Sequence, residues 1–314
     1  MEGSESGRKA AGRAFRSSHI LLFLAFSHGW TWGFWVLAAL WGETVWHWPA
    51  SAFFYVGGAG VLLGGLVMTG AVNGRQGLQD LGRRCVDPRP ISGPWWALIL
   101  LLFPVLTLAA GFVAGLAGTS PAPLDLRDAA SRVLEPASFL AFVLFVLVIG
   151  PLPEEVGWRG YLLDRLQLRW NALAASLLLA LIWWSWHLPL LGLPGYFDAF
   201  GRAPPTAWDF LWGILPAAVV YTWVYNNTGR SVLAVILLHF MHNFTGEFLG
   251  MDDSVRPIRL ALEWGVAIGA VVLWGPASLR RAPPAGPSRF PGVTGGNEGR
   301  ISNAPDGTEL RRRR

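Results

Sequence analysis

Charge is scarce in this chain. Only 14% of its 314 residues are Asp, Glu, Lys or Arg, against 53% that are hydrophobic, with a mean hydropathy of +0.40. That balance excludes an ordinary soluble domain. Cysteine is nearly absent as well: Cys85 stands alone, so no intramolecular disulfide can form, and it reads as an inert loop thiol. Lys9 is the one lysine among 25 basic residues. The net charge of +5 suggests nucleic acid at first sight. The arginines, however, lie in loops and tails between apolar runs rather than on one folded face, which excludes that partner and favours anionic lipid. The chain has no His-Glu-x-x-His pair, no C-terminal prenylation box and no visible inverted repeat of the transporter kind.

What the chain has in abundance is apolar length. Eight runs approach the 20 or so residues a spanning helix needs: 18–41, 50–72, 95–118, 137–162, 172–192, 208–226, 231–250 and 258–275. Eighteen tryptophans suit helix ends at membrane–water interfaces, and 38 glycines suit close helix approach, with Gly60 and Gly64 as one such pair. The first run is too long for a signal peptide and no small-residue cleavage site follows it, so a retained anchor is expected. Arginine placement sets the orientation. With the N-terminus inside, the inner segments hold Arg8, Lys9, Arg13, Arg16, Arg75, Arg83, Arg84, Arg89, Arg165, Arg169, Arg230 and the C-terminal tail. The outer ones hold only Arg127, Arg132, Arg202, Arg256 and Arg259. The expected fold class is therefore an all-α polytopic membrane protein, an eight-helix transmembrane bundle with both termini cytoplasmic. Residues 1–14 and 281–314 are expected as disordered tails, 15–136 as N-terminal spans, 137–250 as a core of further spans and 251–280 as the last span.

One run ends in chemistry. Pro153-Glu154-Glu155-Val156-Gly157-Trp158-Arg159 places three ionisable groups on a membrane-length segment. A charge at the bilayer centre costs roughly 2.5–3.5 kcal/mol on insertion scales, so such groups persist mainly where they function. Glu155 and Arg159 are four apart in the favourable order and can pair along their helix. Glu154 lies about 100° round from Glu155, facing with Trp158 and Tyr161, and has no local partner. An unpaired carboxylate in a dry site can serve as general acid or base. Pro151 and Pro153 favour a break just before it. A plain helix end with both acids in water is the competing reading.

Two later runs carry His187 and His239, and Asn243 shares the His239 face one turn on. Neutral imidazole can hold a water and take its proton, and an amide can donate to an oxyanion. Counting about 1.5 Å per residue from the cytoplasmic ends puts His239 near 12 Å, Glu154 near 16 Å and Asn243 near 18 Å, with His187 deeper, near 24 Å. A tilted or shorter fifth span is needed to bring His187 level. His19, His28, His47 and His242 read as packing residues, and Glu247 as a further acid near the outer end of its helix. Two His and a Glu could also hold zinc with an open water position. Without a local ligand pair, neither metal nor cofactor is expected.

Glu154-Glu155-Val156-Gly157-Trp158-Arg159 resembles the Glu-Glu-x-x-x-Arg signature of the CPBP family, the CAAX prenyl protease and bacteriocin-processing intramembrane glutamic endopeptidases. Trp183 through His187 resembles its Phe-x-x-x-His motif, with Trp in place of Phe, a change expected to touch packing more than chemistry. His239 through Asn243 resembles its His-x-x-x-Asn motif. The resemblance covers about residues 137–250, while the first three spans are only generically similar. It implies an eight-helix bundle with a cytoplasm-facing cavity, Glu154 and His187 activating a water against a peptide or protein substrate, and His239 and Asn243 stabilising the oxyanion. Glu155 and Arg159 would be structural supports. The arginine-rich composition points to a bacterial plasma membrane, where prenylated substrates are not carried over. A catalytically idle scaffold or immunity-type membrane protein of the same family, and a proton-coupled transporter, are the alternatives.

Overall fold

Helices that are apolar all round have no solvent face, so they must be enclosed by protein or by lipid. Helix α1 (Ser17–Trp41) shows the second case: Phe23, Trp35 and Ala38 are buried while Leu21, Leu22 and Val36 are exposed. The structure, a computed structural model, describes residues 17–280 except 43, 121 and 201–203. The two tails expected at 1–14 and 281–314 lie outside the described residues, where no strand occurs.

After α1 come α2 (Ala50–Gly58), α3 (Gly60–Val86), α4 (Gly93–Leu116), the short α5 (Leu126–Val133), α6 (Pro136–Ile149) and α7 (Pro151–Gly157). A π-helical turn, Trp158–Leu162, leads into α8 (Leu163–Gln167). Then follow α9 (Ala172–His187), α10 (Ala207–Asn227), α11 (Val232–Phe248) and α12 (Val255–Trp274). Among the described residues, seven helical runs are long and apolar enough to cross a membrane. The eighth apolar helix, α11, has 17 residues, about 25 Å at 1.5 Å per residue and short of the ~30 Å hydrocarbon core. The protein is thus a polytopic, all-α integral membrane protein.

Two runs differ from their sequence-based bounds. The second continues past residue 72 to Val86, turning at Gly74, where φ is 63° and only a residue without Cβ is unstrained. The fourth does not stop at 162. It breaks at Gly150, as the flanking prolines require, and continues to Gln167.

Glycine sets how closely α1, α3 and α7 approach. A Cβ on Gly60 would lie 2.5 Å from Thr31 Oγ1, and one on Gly64 would lie 3.3 Å from the Phe23 ring. Gly65, which spacing alone did not single out, meets Gly157 of the acidic motif: its Cβ would lie 2.9 Å from the Gly157 Cα.

One end of the bundle is sealed by polar groups. Asp164 accepts from Arg230 Nε at 2.9 Å and from the Tyr225 hydroxyl at 2.7 Å, and Arg84 Nη1 approaches it to 3.3 Å. Arg84, expected at the lipid surface, is instead largely buried and also reaches the Arg230 carbonyl at 3.0 Å. At the same end the Ala277 and Pro276 carbonyls accept from Ala172 and Leu173 N–H, each at 3.0 Å. At the opposite end two loops bond through Val45 N–H to the Pro194 carbonyl at 2.9 Å, and α9 bonds to the start of α10 through Trp184 Nε1–H to the Ala207 carbonyl at 2.8 Å. Exposed Trp48 and Trp208 mark that second end, where indole suits a headgroup region.

Candidate active site

The sequence-selected residues reach the site from three parts of the chain: α7 with its π-helical turn, α9 and α11. Glu154 and Glu155 lie in the first turns of α7, just after the break at Gly150, and both are buried. His187 is the last residue of α9, where Pro189 stops the helix. His239 and Asn243 lie on one face of α11, whose start is capped by Ser231 accepting from Ala234 N–H.

The expected helical pair forms: Arg159 Nη1 donates to Glu155 Oε1 at 2.9 Å, with both side chains fully buried. The same oxygen lies 2.8 Å from His239 Nδ1. Glu155 therefore does more than anchor its own motif; it joins that motif to α11. The guanidinium carbon of Arg159 sits 4.9 Å from the Trp183 ring centre and 5.1 Å from that of Tyr221. Among the described residues Arg159 Nε and Nη2 have no hydrogen-bond partner, and the two π faces stand against this cation beside its Glu155 pair.

Glu154 turns the other way, as the 100° offset requires. Its Oε2 accepts from the Trp183 indole N–H. Its Oε1 is 4.0 Å from His187 Nε2, too long for a direct hydrogen bond and short enough for one water to bond both. His187 Nδ1 lies 2.9 Å from the Trp183 carbonyl, which can only accept. Nδ1 therefore carries the proton, and in the neutral ring Nε2 presents its lone pair toward Glu154. Asn243 closes the ring of groups. Its Nδ2 and Glu154 Oε1 are each 3.6 Å from where a Cβ on Gly150 would stand. Asn243 is also the exposed member of the set.

The depth mismatch of His187 disappears for a geometric reason. Because α8 extends to Gln167, Glu154 stands 13 residues from that end, and His187 stands 15 residues from the start of α9. At 1.5 Å per residue both rise about 20 Å. A second contact fits the alignment of α7–α8 with α11: Glu155 meets His239, and Asp164, nine residues after Glu155, meets Arg230, nine residues before His239 and just ahead of α11.

Sequence reasoning assigned Trp183 to packing, and here it needs correcting. A Phe at 183 would leave the Glu154 carboxylate without its indole donor, so the difference between the two aromatics is chemical. Tyr221 was missed altogether. It is fully buried, covers Arg159, packs 5.3 Å from the His239 ring and places its hydroxyl 2.7 Å from His242 Nδ1. No one-dimensional signal separates it from other aromatics of an apolar helix. His242 does turn away from the His239 side, as expected, stacking on Phe103 at 4.2 Å and approaching Glu263 to 3.3 Å. His28 is a bonded packing residue, 3.1 Å from Ser185 Oγ. Glu247 is half-buried. Among the described residues no three His, Cys, Asp or Glu side chains converge to hold a metal ion.

Residues 136–245 match the family model of the Rce1-like type II CAAX prenyl endopeptidases. A CAAX prenyl protease 2 of Methanococcus maripaludis is 31% identical over 134 residues, which is 42% of this chain and 49% of the relative. The chain thus spans about half the length of the curated relative it matches. The matched segment contains all six residues selected from the sequence: Glu154, Glu155, Arg159, His187, His239 and Asn243.

Proposed function

We propose that this protein is an intramembrane endopeptidase that hydrolyses peptide bonds with a water activated between Glu154 and His187. The observation that carries the reading is the 4.0 Å separation of Glu154 Oε1 and His187 Nε2, combined with the fixed tautomer of the histidine. A water bonded to both loses a proton to Glu154 as its oxygen attacks the scissile carbonyl carbon. The carbonyl oxygen becomes an oxyanion within reach of Asn243 Nδ2–H. His239 donates there from Nε2 when both ring nitrogens are protonated, because Glu155 holds Nδ1–H. As the C–N bond breaks, the proton on Glu154 passes to the leaving amine. Every group in this scheme comes from the protein and the substrate, so no metal or cofactor enters it.

The partners in this reading are a peptide or protein substrate and the bilayer. The short helix α11 counts as an eighth span, with tilt and bilayer thinning absorbing its length. The common end of α1 and α12, sealed by Arg84, Asp164 and Arg230, then lies in the cytoplasm, by analogy with a bacterial plasma membrane. The exposed member of the site, Asn243, is about 18 Å along α11 from Ser231 at that sealed end. Labelling a cysteine at 243 with an impermeant reagent from each side in turn decides whether the cavity faces the cytoplasm.

The activity itself is tested by comparing protein termini by mass spectrometry, in membranes carrying the wild-type chain, Glu154→Gln or His187→Ala. New termini present with the wild type and absent with both variants, at equal membrane levels, support hydrolysis. The same termini persisting in either variant end the proposal and favour the non-catalytic scaffold.

A further inference from the structure

Gly150 is a glycine that neither the backbone nor the packing requires. Its φ of −120° lies outside the left-handed range that favours glycine, and the following Pro151 already disfavours helix at this position. Its surroundings do not need it either. A Cβ there would meet two groups, Glu154 Oε1 and Asn243 Nδ2, both at an ordinary van der Waals distance of 3.6 Å. Gly157 is the contrast: its Cβ would lie 2.4 Å from the Val61 carbonyl oxygen, so packing excludes a side chain there.

What remains to account for Gly150 is what comes between the acid and the amide. A third body that bonds both must sit beside the Gly150 Cα, where glycine's missing side chain admits close approach of another backbone. We infer that Gly150 is a specificity-determining residue of this site, its bare Cα forming the wall of the slot in which the substrate main chain lies at the scissile carbonyl, between Glu154 and Asn243. The inference rests on the hydrolytic reading above. A methyl group at 150 leaves the fold intact, because 3.6 Å contacts are comfortable, but narrows the slot. Bonds flanked by glycine or alanine then still enter, and bonds flanked by larger residues do not.

The test uses the full chain in its membrane and compares wild type, Gly150→Ala, Gly150→Val and Glu154→Gln by the same terminus analysis. The expected result is at least a tenfold loss of Glu154-dependent termini in Gly150→Ala and a larger loss in Gly150→Val, with the surviving cuts enriched in Gly and Ala beside the scissile bond. That shift in residue profile is a readout a merely structural role does not produce. Wild-type yield and an unchanged profile in Gly150→Ala, alongside loss in Glu154→Gln, overturn the inference and leave the protease reading standing. Retention in Glu154→Gln overturns the protease reading itself. Failure of Gly150→Ala to accumulate overturns the inference as well, because packing would then require the glycine.

Discussion

Pro136–Gln167 is one continuous run of membrane-crossing length, yet its two halves live in different surroundings. None of the fourteen residues of α6 is buried, and Leu140, Leu144 and Val148 are each about half exposed. From Pro151 to Leu166 every residue but Leu152 is buried. The boundary is Gly150. Lipid tails and protein interior are both apolar. They differ in what they can do for a charge: lipid offers no partner, whereas a protein interior can place a donor, a cation or a ring face against each ionisable group. All five charged residues of the run, Glu154, Glu155, Arg159, Asp164 and Arg165, fall in the enclosed half.

That contrast can be broken most forcefully at Arg159. Arg159→Ala leaves Glu155 buried with His239 as its remaining partner, and breaking a buried pair on one side typically costs about 3–5 kcal/mol. Thermal unfolding of the purified protein in detergent should show the largest loss of stability of any substitution in the run. An Arg159→Ala protein as stable as the wild type would mean that this half is not dry. A smaller loss is expected from Gly157→Ala. Its methyl group meets the Val61 backbone, which cannot swing aside, and overpacking of this kind costs about 1–3 kcal/mol. Leu144→Ala in the exposed half should change stability by no more than about 0.5 kcal/mol in the same melt, since no protein cavity is created. A large loss there would show that a partner covers α6 in the membrane.

How far the site could be read in advance follows from the range of each interaction. Glu155 with Arg159, and His239 with Asn243, are four-residue neighbours, and helix geometry alone sets them side by side. The break at Gly150 was legible because proline acts on its own neighbours. The Trp183 indole on Glu154 and the Tyr221 ring over Arg159 were not, because each crosses between helices whose rotation no local rule fixes. Arg84 and Arg230 misled for the same reason. Counted as loop cations for a lipid surface, they share the carboxylate of Asp164.

By itself the sequence determined that this chain is helical, that it lives in a membrane, and which acid, imidazoles and amide are available for chemistry. Those properties follow from apolar length, from the 3.6-residue period and from the expense of an idle charge in lipid. Only the tertiary structure decided which carboxylate faces which histidine, which nitrogen of His187 is left free, and what stands around Arg159. These depend on the register and rotation of helices far apart in the chain. That arrangement is set by where Gly65 and Gly157 allow contact and where Asp164 and Glu155 lock α7–α8 to α11.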